Sequence, residues 1–176
     1  METSMFRRPA GLVVAITLLC ATSGVAMAAG AGAGQGASGG ESGRSYVMAD
    51  SFGASAQLPF SDAVRSGNTL YVSGTIGLDP ATLSDPKTAH AASDPAAEAR
   101  YALEAFKRTL EAAGYKMDDL VSVQVFCTDL DLYGAFNDVY RSYFHEHFPA
   151  RAFIGVSKLV RGAHFEVMGT AVKSAK

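Results

Sequence analysis

The sequence predicts a single α+β domain in which one mixed β-sheet carries two helices on one face. Apolar residues recur with helical spacing in two segments and with alternating spacing in several others. Along the chain these segments follow the order strand, hairpin, helix, strand, helix, hairpin. Helices interspersed with strands in this order pack on one face of a shared sheet, so the order predicts the fold class.

The first 45 residues are not expected to contribute to this domain. Residues 1–28 combine Arg7 and Arg8, a short apolar run and a small-residue cleavage site, which is the pattern of a signal peptide. Residues 29–45 are rich in Gly, Ala and Ser, a composition typical of a flexible linker. We therefore expect residues 46–176 to fold and the protein to be periplasmic or secreted. The export route and a lipid anchor at Cys20 stay open.

Composition argues against several classes of function. The net charge of −2 gives no electrostatic footprint for nucleic acid. Only Cys127 lies beyond the predicted signal peptide, so no intramolecular disulfide is expected. The apolar run in the signal is too short to span a bilayer, and we expect no stable membrane insertion after cleavage. His145 and His147 point in different directions on a predicted helix, so we predict no metal site.

The N-terminal half of the domain is predicted to be mostly strand. Residues 46–50 form a first strand. A hairpin follows, with arms 62–65 and 69–73 joined by a turn in which Gly67 and Asn68 tolerate positive φ. Residues 79–93 are rich in Pro, Asp and Ser and predict a loop.

Two helices flank a central strand. Asp94 and Pro95 mark the start of the first helix and Gly114 follows its end. The second helix is predicted to run from 132 to 147. Between them, residues 120–128 alternate as a strand and place Cys127 on the apolar side, which favours a core residue over a nucleophile. The inward stripe of the first helix comprises Ala99, Ala102, Leu103, Phe106, Leu110 and Ala113, and that of the second Leu132, Phe136, Val139, Tyr140 and Tyr143.

Two charged residues stand in the apolar C-terminal segment. Residues 152–159 and 164–172 are predicted to form a hairpin around a turn at 160–162. Arg151 enters the first strand from a rigid support and can present its planar guanidinium to a carboxylate. Glu166 stands among apolar neighbours and is a candidate proton acceptor. Ordinary surface charges are the alternative interpretation of both residues.

The predicted hairpin separates these two residues. It places Glu166 opposite Val156, some 15 Å or more from Arg151. One small ligand cannot bridge that distance. We therefore hypothesise that Arg151 and Glu166 of one site come from different subunits.

Residues 58–172 resemble the Rid family of reactive intermediate deaminases, also called the YjgF/YER057c/UK114 family. The resemblance is carried by the order and spacing of PFSDAVRSGNTLYVSGTIGLDP, LEAAGYKMDDLVSVQVFCTDLDLYGAFNDVY, FPAR and FEV. It implies a chorismate-mutase-like fold that assembles as a homotrimer, with a ligand cleft at each subunit interface. It also implies hydrolysis of small 2-imino acids, or their enamines, to 2-oxo acids and ammonia, without metal or organic cofactor.

The resemblance assigns roles to particular residues. Arg151 matches the arginine that binds the substrate carboxylate, and Glu166 matches the acid that activates the attacking water. The further substrate-binding positions are Phe60, Ser73, Gly74, Asn137 and Phe153.

Two positions depart from the family pattern, and a third adds new chemistry. Phe153 stands where many members carry Cys, Ser or Thr, and Met168 where a second acid is frequent. His164 is predicted to lie on the same strand face as Glu166, within reach of it, or to be a histidine at the rim.

Two functions of different classes remain open at this point. The first is a cofactor-free imine deaminase. The second is an exported, non-catalytic protein that binds a small carboxylate in the same cleft. RNA cleavage, which has been attached to some relatives, is disfavoured by the acidic balance of the chain.

Overall fold

A computed structural model describes residues 43–49 and 57–174. The predicted signal peptide and most of the predicted linker lie outside these residues. Among the described helices, none is both long and apolar enough to cross a membrane. The strands are β1 (Arg44–Val47), β2 (Ala63–Ser66), β3 (Thr69–Ile76), β4 (Leu120–Cys127), β5 (Ala150–Gly155) and β6 (Phe165–Val172), and the α-helices are α1 (Pro95–Ala112) and α2 (Tyr133–Arg141).

The six strands form one mixed sheet with both helices packed on the same face, so the predicted fold class is confirmed. The strand order is β1-β2-β3-β6-β4-β5. All neighbours are antiparallel except β4 and β5, which are parallel. A parallel pair needs a crossover connection, and α2 provides it by carrying the chain from the end of β4 to the start of β5.

The predicted C-terminal hairpin is wrong, because β4 lies between β5 and β6. The turn at Val160–Gly162 does form, with Arg161 at φ 57°. The connecting segment, however, is hydrogen-bonded to the end of β4. Val156 N–H donates to the Cys127 carbonyl at 2.8 Å, and Thr128 N–H donates to the His164 carbonyl at 3.1 Å. The chain therefore passes around the end of β4 instead of reversing beside β5.

Several element boundaries also differ from the prediction; β5, predicted at 152–159, spans Ala150–Gly155. The second helix ends at Arg141 instead of residue 147. The Ser142 hydroxyl donates a hydrogen bond to the Val139 carbonyl at 2.7 Å, and Phe144 packs against the core. The first strand begins at Arg44, inside the predicted linker.

The core fills the space between the helices and the sheet. The stripe on α1 is confirmed: its buried apolar residues are Ala99, Ala102, Leu103, Phe106 and Leu110. Each large side chain buried in this way contributes about 1.5–3 kcal/mol. Cys127 is fully buried and its thiol donates to the Asp129 carbonyl at 2.9 Å, so its assignment to the core is also confirmed.

The other face of the sheet is open within the described part of the chain. Strand residues alternate between faces, and those pointing away from the helices remain exposed. Tyr71 is 55 % exposed and Met168 is 37 % exposed. This face, called the open face below, carries Tyr46, Tyr71, Gln124, Phe126, Ala150, Ala152, Ile154, Glu166 and Met168.

A fully buried carboxylate ties α1 to the start of β6. Glu98 lies in the first turn of α1, and its Oε1 accepts the backbone N–H groups of His164 at 2.6 Å and Phe165 at 2.8 Å. Its Oε2 lies 2.6 Å from Nδ1 of the His164 ring. One side chain therefore satisfies backbone donors at the end of the strand that carries Glu166.

We predict that Glu98→Ala lowers the free energy of unfolding by about 2–4 kcal/mol, because it leaves buried backbone donors without an acceptor. Urea unfolding at fixed protein concentration measures the change. Glu111→Ala, on the exposed side of the same helix, is the control and should change stability by less than about 0.5 kcal/mol. A Glu98→Ala protein as stable as the control would contradict this account of Glu98.

Candidate active site

Glu166 lies on the open face, in direct contact with the backbone of β3. The register of β3 against β6 shifts between Val72 and Thr75, which brings Gly74 beneath the Glu166 carboxylate. A Cβ added at Gly74 would collide with Oε1 of Glu166. Glycine is therefore required at this position because the carboxylate occupies the space of a side chain.

A cavity of about 570 Å³ opens beside this carboxylate. Phe60, Gly74 and Glu166 all line it. Ser73 holds the adjacent segment in place. Its N–H donates to the Asp62 carbonyl at 2.9 Å and its hydroxyl donates to the Ser61 carbonyl at 2.7 Å. Ser73 thus fixes the segment that carries Phe60. Phe60, Ser73, Gly74 and Glu166 are called the acid group below.

Arg151 lies in a second group of residues, on edge strand β5. It pairs in register with Val123, whose side chain is buried under the helices, so Arg151 points to the helix side of the sheet. Its Nη2 donates to Asn137 Oδ1 at 2.7 Å. The guanidinium carbon lies 4.6 Å from the Tyr140 ring centroid, 5.6 Å from that of Phe153 and 5.8 Å from that of Tyr133. These distances are typical of cation–π contacts.

The Arg151 group therefore contains two residues that the sequence analysis did not assign to the site, Tyr133 and Tyr140. Their helical spacing from Asn137 is the feature of the sequence that could have identified them. Tyr133 lies four residues before Asn137 and Tyr140 three residues after it, so all three share one face of α2. Phe153 meets Tyr133 edge-on, with ring centroids 4.9 Å apart. Arg151, Asn137, Phe153, Tyr133 and Tyr140 are called the arginine group below.

The two tyrosines differ in electrostatics. The hydrogen bond from the Asn137 side chain and the nearby Arg151 cation lower the pKa of Tyr133, which is exposed. Burial raises the pKa of Tyr140 to about 12, against the opposing effect of Arg151. The Tyr140 hydroxyl is buried and has no hydrogen-bond partner among the described residues. Tyr133 is therefore the tyrosine available to a ligand at Arg151.

The acid group and the arginine group do not meet within one chain. Glu166 pairs with Phe126, which pairs with Ile154, and Arg151 lies three residues before Ile154. The two residues are thus separated by roughly 10 Å across the strands and roughly 10 Å along them, on opposite faces of the sheet. The premise of a hairpin was wrong, yet the separation that was predicted from it is present.

His164 does not reach Glu166. Its ring binds Glu98, and the contact fixes its orientation at the start of β6. Among the described residues, no group of three or more His, Cys, Asp or Glu side chains is placed to hold a metal ion. The described residues provide a planar cation, Arg151, that can bind an anion, and a carboxylate, Glu166, that can transfer protons beside a mainly apolar cavity.

Curated proteins and solved structures with similar sequences are known. The 2-iminobutanoate/2-iminopropanoate deaminase of Escherichia coli K12 is 36% identical over 118 residues, which are 65% of this chain and 88% of that protein. The structure of RidA from an Antarctic Psychrobacter species matches with a TM-score of 0.58 at 33% identity, over 65% of this chain and 89% of that one. The E. coli TdcF structure with bound serine matches with a TM-score of 0.59 at 29% identity, over 66% and 89%.

The family comparison covers more of the chain. The sequence profile described as endoribonuclease L-PSP matches residues 52–173, which include every strand and helix of the sheet except β1. The similarity to these solved structures, with TM-scores of 0.58 and 0.59, supports the α+β fold that the resemblance implied. The chain therefore belongs to the endoribonuclease L-PSP family, the Rid or YjgF family of the sequence analysis.

Proposed function

We propose that this protein hydrolyses 2-imino acids to 2-oxo acids and ammonia, using Arg151 to bind the carboxylate and Glu166 to transfer protons. The observation that carries the proposal is the placement of Glu166 over Gly74 at the mouth of a mainly apolar cavity. The names of the relatives support it, since several at 34–36% identity are called 2-iminobutanoate/2-iminopropanoate deaminases. TdcF, with serine bound, is a relative that holds an amino acid.

The chemistry requires orientation and one proton-transfer group. The imine reacts in its protonated form, and Glu166 accepts a proton from water as the water oxygen bonds to the imine carbon, which leaves a hydroxyl and a neutral amine on that carbon. Glu166 then gives this proton to the nitrogen, and the carbon–nitrogen bond breaks to release ammonia. The hydroxyl loses its proton through Glu166 to the departing ammonia as the carbonyl forms, so the products are the 2-oxo acid and ammonium. Arg151 fixes the position of the reacting carbon through the carboxylate.

The site is completed by two copies of the chain. Glu166 lies on the open face and Arg151 lies on edge strand β5, so the edge of one copy can bring Arg151 to the Glu166 of another. The exposed aromatic and aliphatic side chains of the open face favour burial against a second sheet. A homotrimer, as the family resemblance implies, has the cyclic symmetry that joins unlike surfaces in this way.

Export is part of this proposal and rests on the signal pattern of residues 1–28. In that location the proposed source of the imine is an amino-acid oxidase or dehydrogenase, which removes two electrons and two protons from an amine and passes the electrons to its own acceptor. The non-catalytic binding protein that the sequence left open has no support among the names of the relatives. Nor does the net charge of −2 favour a nucleic acid substrate, despite the description of the family.

We expect Glu166→Gln to lower kcat by about 10²–10⁴-fold, since it removes the proton acceptor but keeps the shape of the side chain. Arg151→Ala should mainly weaken substrate binding. An amino-acid oxidase generates the imine in situ and semicarbazide traps what remains, so loss of trapped product measures activity. Lys107→Ala, an exposed cation on α1, is the control. Undiminished activity in Glu166→Gln would contradict the assigned role.

Mixed assemblies test whether two copies build one site. At substrate concentrations well below KM, Arg151→Ala and Glu166→Ala chains should each show little activity alone, whereas co-expression in equal amounts should restore about one quarter of wild-type activity. The activity returns because some interfaces then combine an intact Arg151 with an intact Glu166. If both residues acted within one chain, every site in the mixture would lack one of them and no activity would return.

A further prediction concerns pH. Because the pKa of Tyr133 is lowered, its phenol ionises below the ordinary pH for tyrosine, and the resulting phenolate competes with a ligand carboxylate for Arg151. The dissociation constant of 2-oxobutanoate, a stable product, should therefore rise as pH increases through the Tyr133 pKa. Tyr133→Phe should remove this alkaline weakening. Calorimetric titration measures it, and an identical pH profile in both proteins would refute the competition.

A further inference from the structure

The cavity beside Glu166 is much larger than the smallest imino acids require. Its volume of about 570 Å³ falls in the range of roughly 300–1,000 Å³ that holds ligands of drug size. Most of its wall is apolar. The side chains that form this wall include Leu58, Ile76, Leu78, Leu83, Tyr101 and Val160.

The position of the cavity determines which part of a substrate can enter it, and here the inference rests on the proposed function. A 2-imino acid has three parts: a carboxylate, the C=N group and a side chain. Arg151 takes the carboxylate from another copy, and Glu166 faces the C=N carbon. The side chain alone is left to extend past Glu166 into the cavity of the same chain.

We infer that the preferred substrates are 2-imino acids with large apolar side chains, branched or aromatic, instead of the methyl or ethyl group of the smallest members. A methyl group would leave most of the apolar wall in contact with water. Each additional buried methylene favours binding by a factor of about four. The three additional carbons of a leucine-type side chain therefore predict a preference of at least about tenfold over an alanine-type side chain.

Charged residues at the cavity determine whether a substrate side chain with a second carboxylate can compete with an apolar one. Arg108 and Arg161 both line it, and Arg161 donates from Nη1 to the Ala89 carbonyl at 2.6 Å. Asp62 and Glu104 line the same cavity and offset these cations. A side chain with a second carboxylate is consequently disfavoured relative to an apolar one.

The test compares binding and turnover for a series of side chains on the full-length protein. Calorimetry measures dissociation constants for pyruvate, 2-oxobutanoate, 4-methyl-2-oxopentanoate, phenylpyruvate and 2-oxoglutarate. Assays of the corresponding imines, generated by an amino-acid oxidase, measure kcat/KM. We expect 4-methyl-2-oxopentanoate or phenylpyruvate to bind at least about tenfold more tightly than pyruvate, and kcat/KM to follow the same order.

A matched pair of variants locates the preference. Ala105 lies on α1 and lines the cavity, so Ala105→Phe should reduce the ratio of large-substrate to small-substrate kcat/KM by about tenfold or more. Ala112→Phe, near the exposed end of the same helix and outside the cavity, should leave the ratio unchanged. Circular dichroism and thermal unfolding establish that both variants are folded.

The outcomes separate this inference from the proposed function. Tight binding of the large 2-oxo acids without turnover of any imine would support the inference and contradict the deaminase. Turnover of imines would support the deaminase. If the alanine-derived imine were then the preferred substrate and pyruvate the tightest ligand, or if 2-oxoglutarate were the tightest ligand, the inference would be overturned. Binding of none of the five acids would overturn the inference as well.

Discussion

The parallel pairing of β5 with β4 decides where Arg151 and Glu166, the two residues proposed for catalysis, lie. It places β5 at the edge of the sheet and turns Arg151 toward the helices, while β6, on the other side of β4, turns Glu166 toward the open face. An antiparallel hairpin would have placed the two strands side by side. Because α2 forms the crossover, the helix that enforces the parallel pairing also supplies Asn137, Tyr133 and Tyr140 to Arg151.

The surroundings of Arg151 explain why a guanidinium is suited to this position. Tyr133, Tyr140 and Phe153 pack around it, and Asn137 accepts from Nη2. A planar group with several donors can be held by one nitrogen and stacked on aromatic rings while its remaining donors stay available to a carboxylate. A lysine ammonium would lose both the stacking and the paired donors. Phe153, which departs from the family pattern, therefore contributes to holding the cation instead of offering a polar group.

Local chemistry made part of this structure predictable. The cap at Asp94, the stripe of α1 and the alternation of β4 from Val123 onward depend on neighbours a few residues apart, and each was predicted correctly. The alternation fails at Val121, which is exposed beside a register shift between Leu120 and Ser122. Strand partners depend on contacts distant in sequence, and alternation does not reveal which strand lies next to which. For this reason the sequence predicted that β5 and β6 pair as a hairpin, whereas in the structure β4 lies between them.

The candidate site also combines features that the sequence suggests with contacts that only the folded chain reveals. Arg151, Glu166 and Gly74 were assigned to the predicted site by the family resemblance, whereas the contact of Gly74 with the Glu166 carboxylate arises only from the register shift in β3. Glu98 was not identified at all. A glutamate in the first turn of a helix is usually an exposed residue that interacts with the helix dipole, and only the folded chain reveals that it binds the start of β6.

The buried thiol of Cys127 has a consequence for the chemical durability of the protein. Burial raises the pKa of this thiol, which donates its hydrogen to the Asp129 carbonyl. Oxidants, alkylating agents and disulfide exchange all act on the thiolate, and they must first reach the sulfur. Cys127 is enclosed on the helix side of β4 and kept in its thiol form, so the folded protein resists oxidative damage at this residue in any compartment.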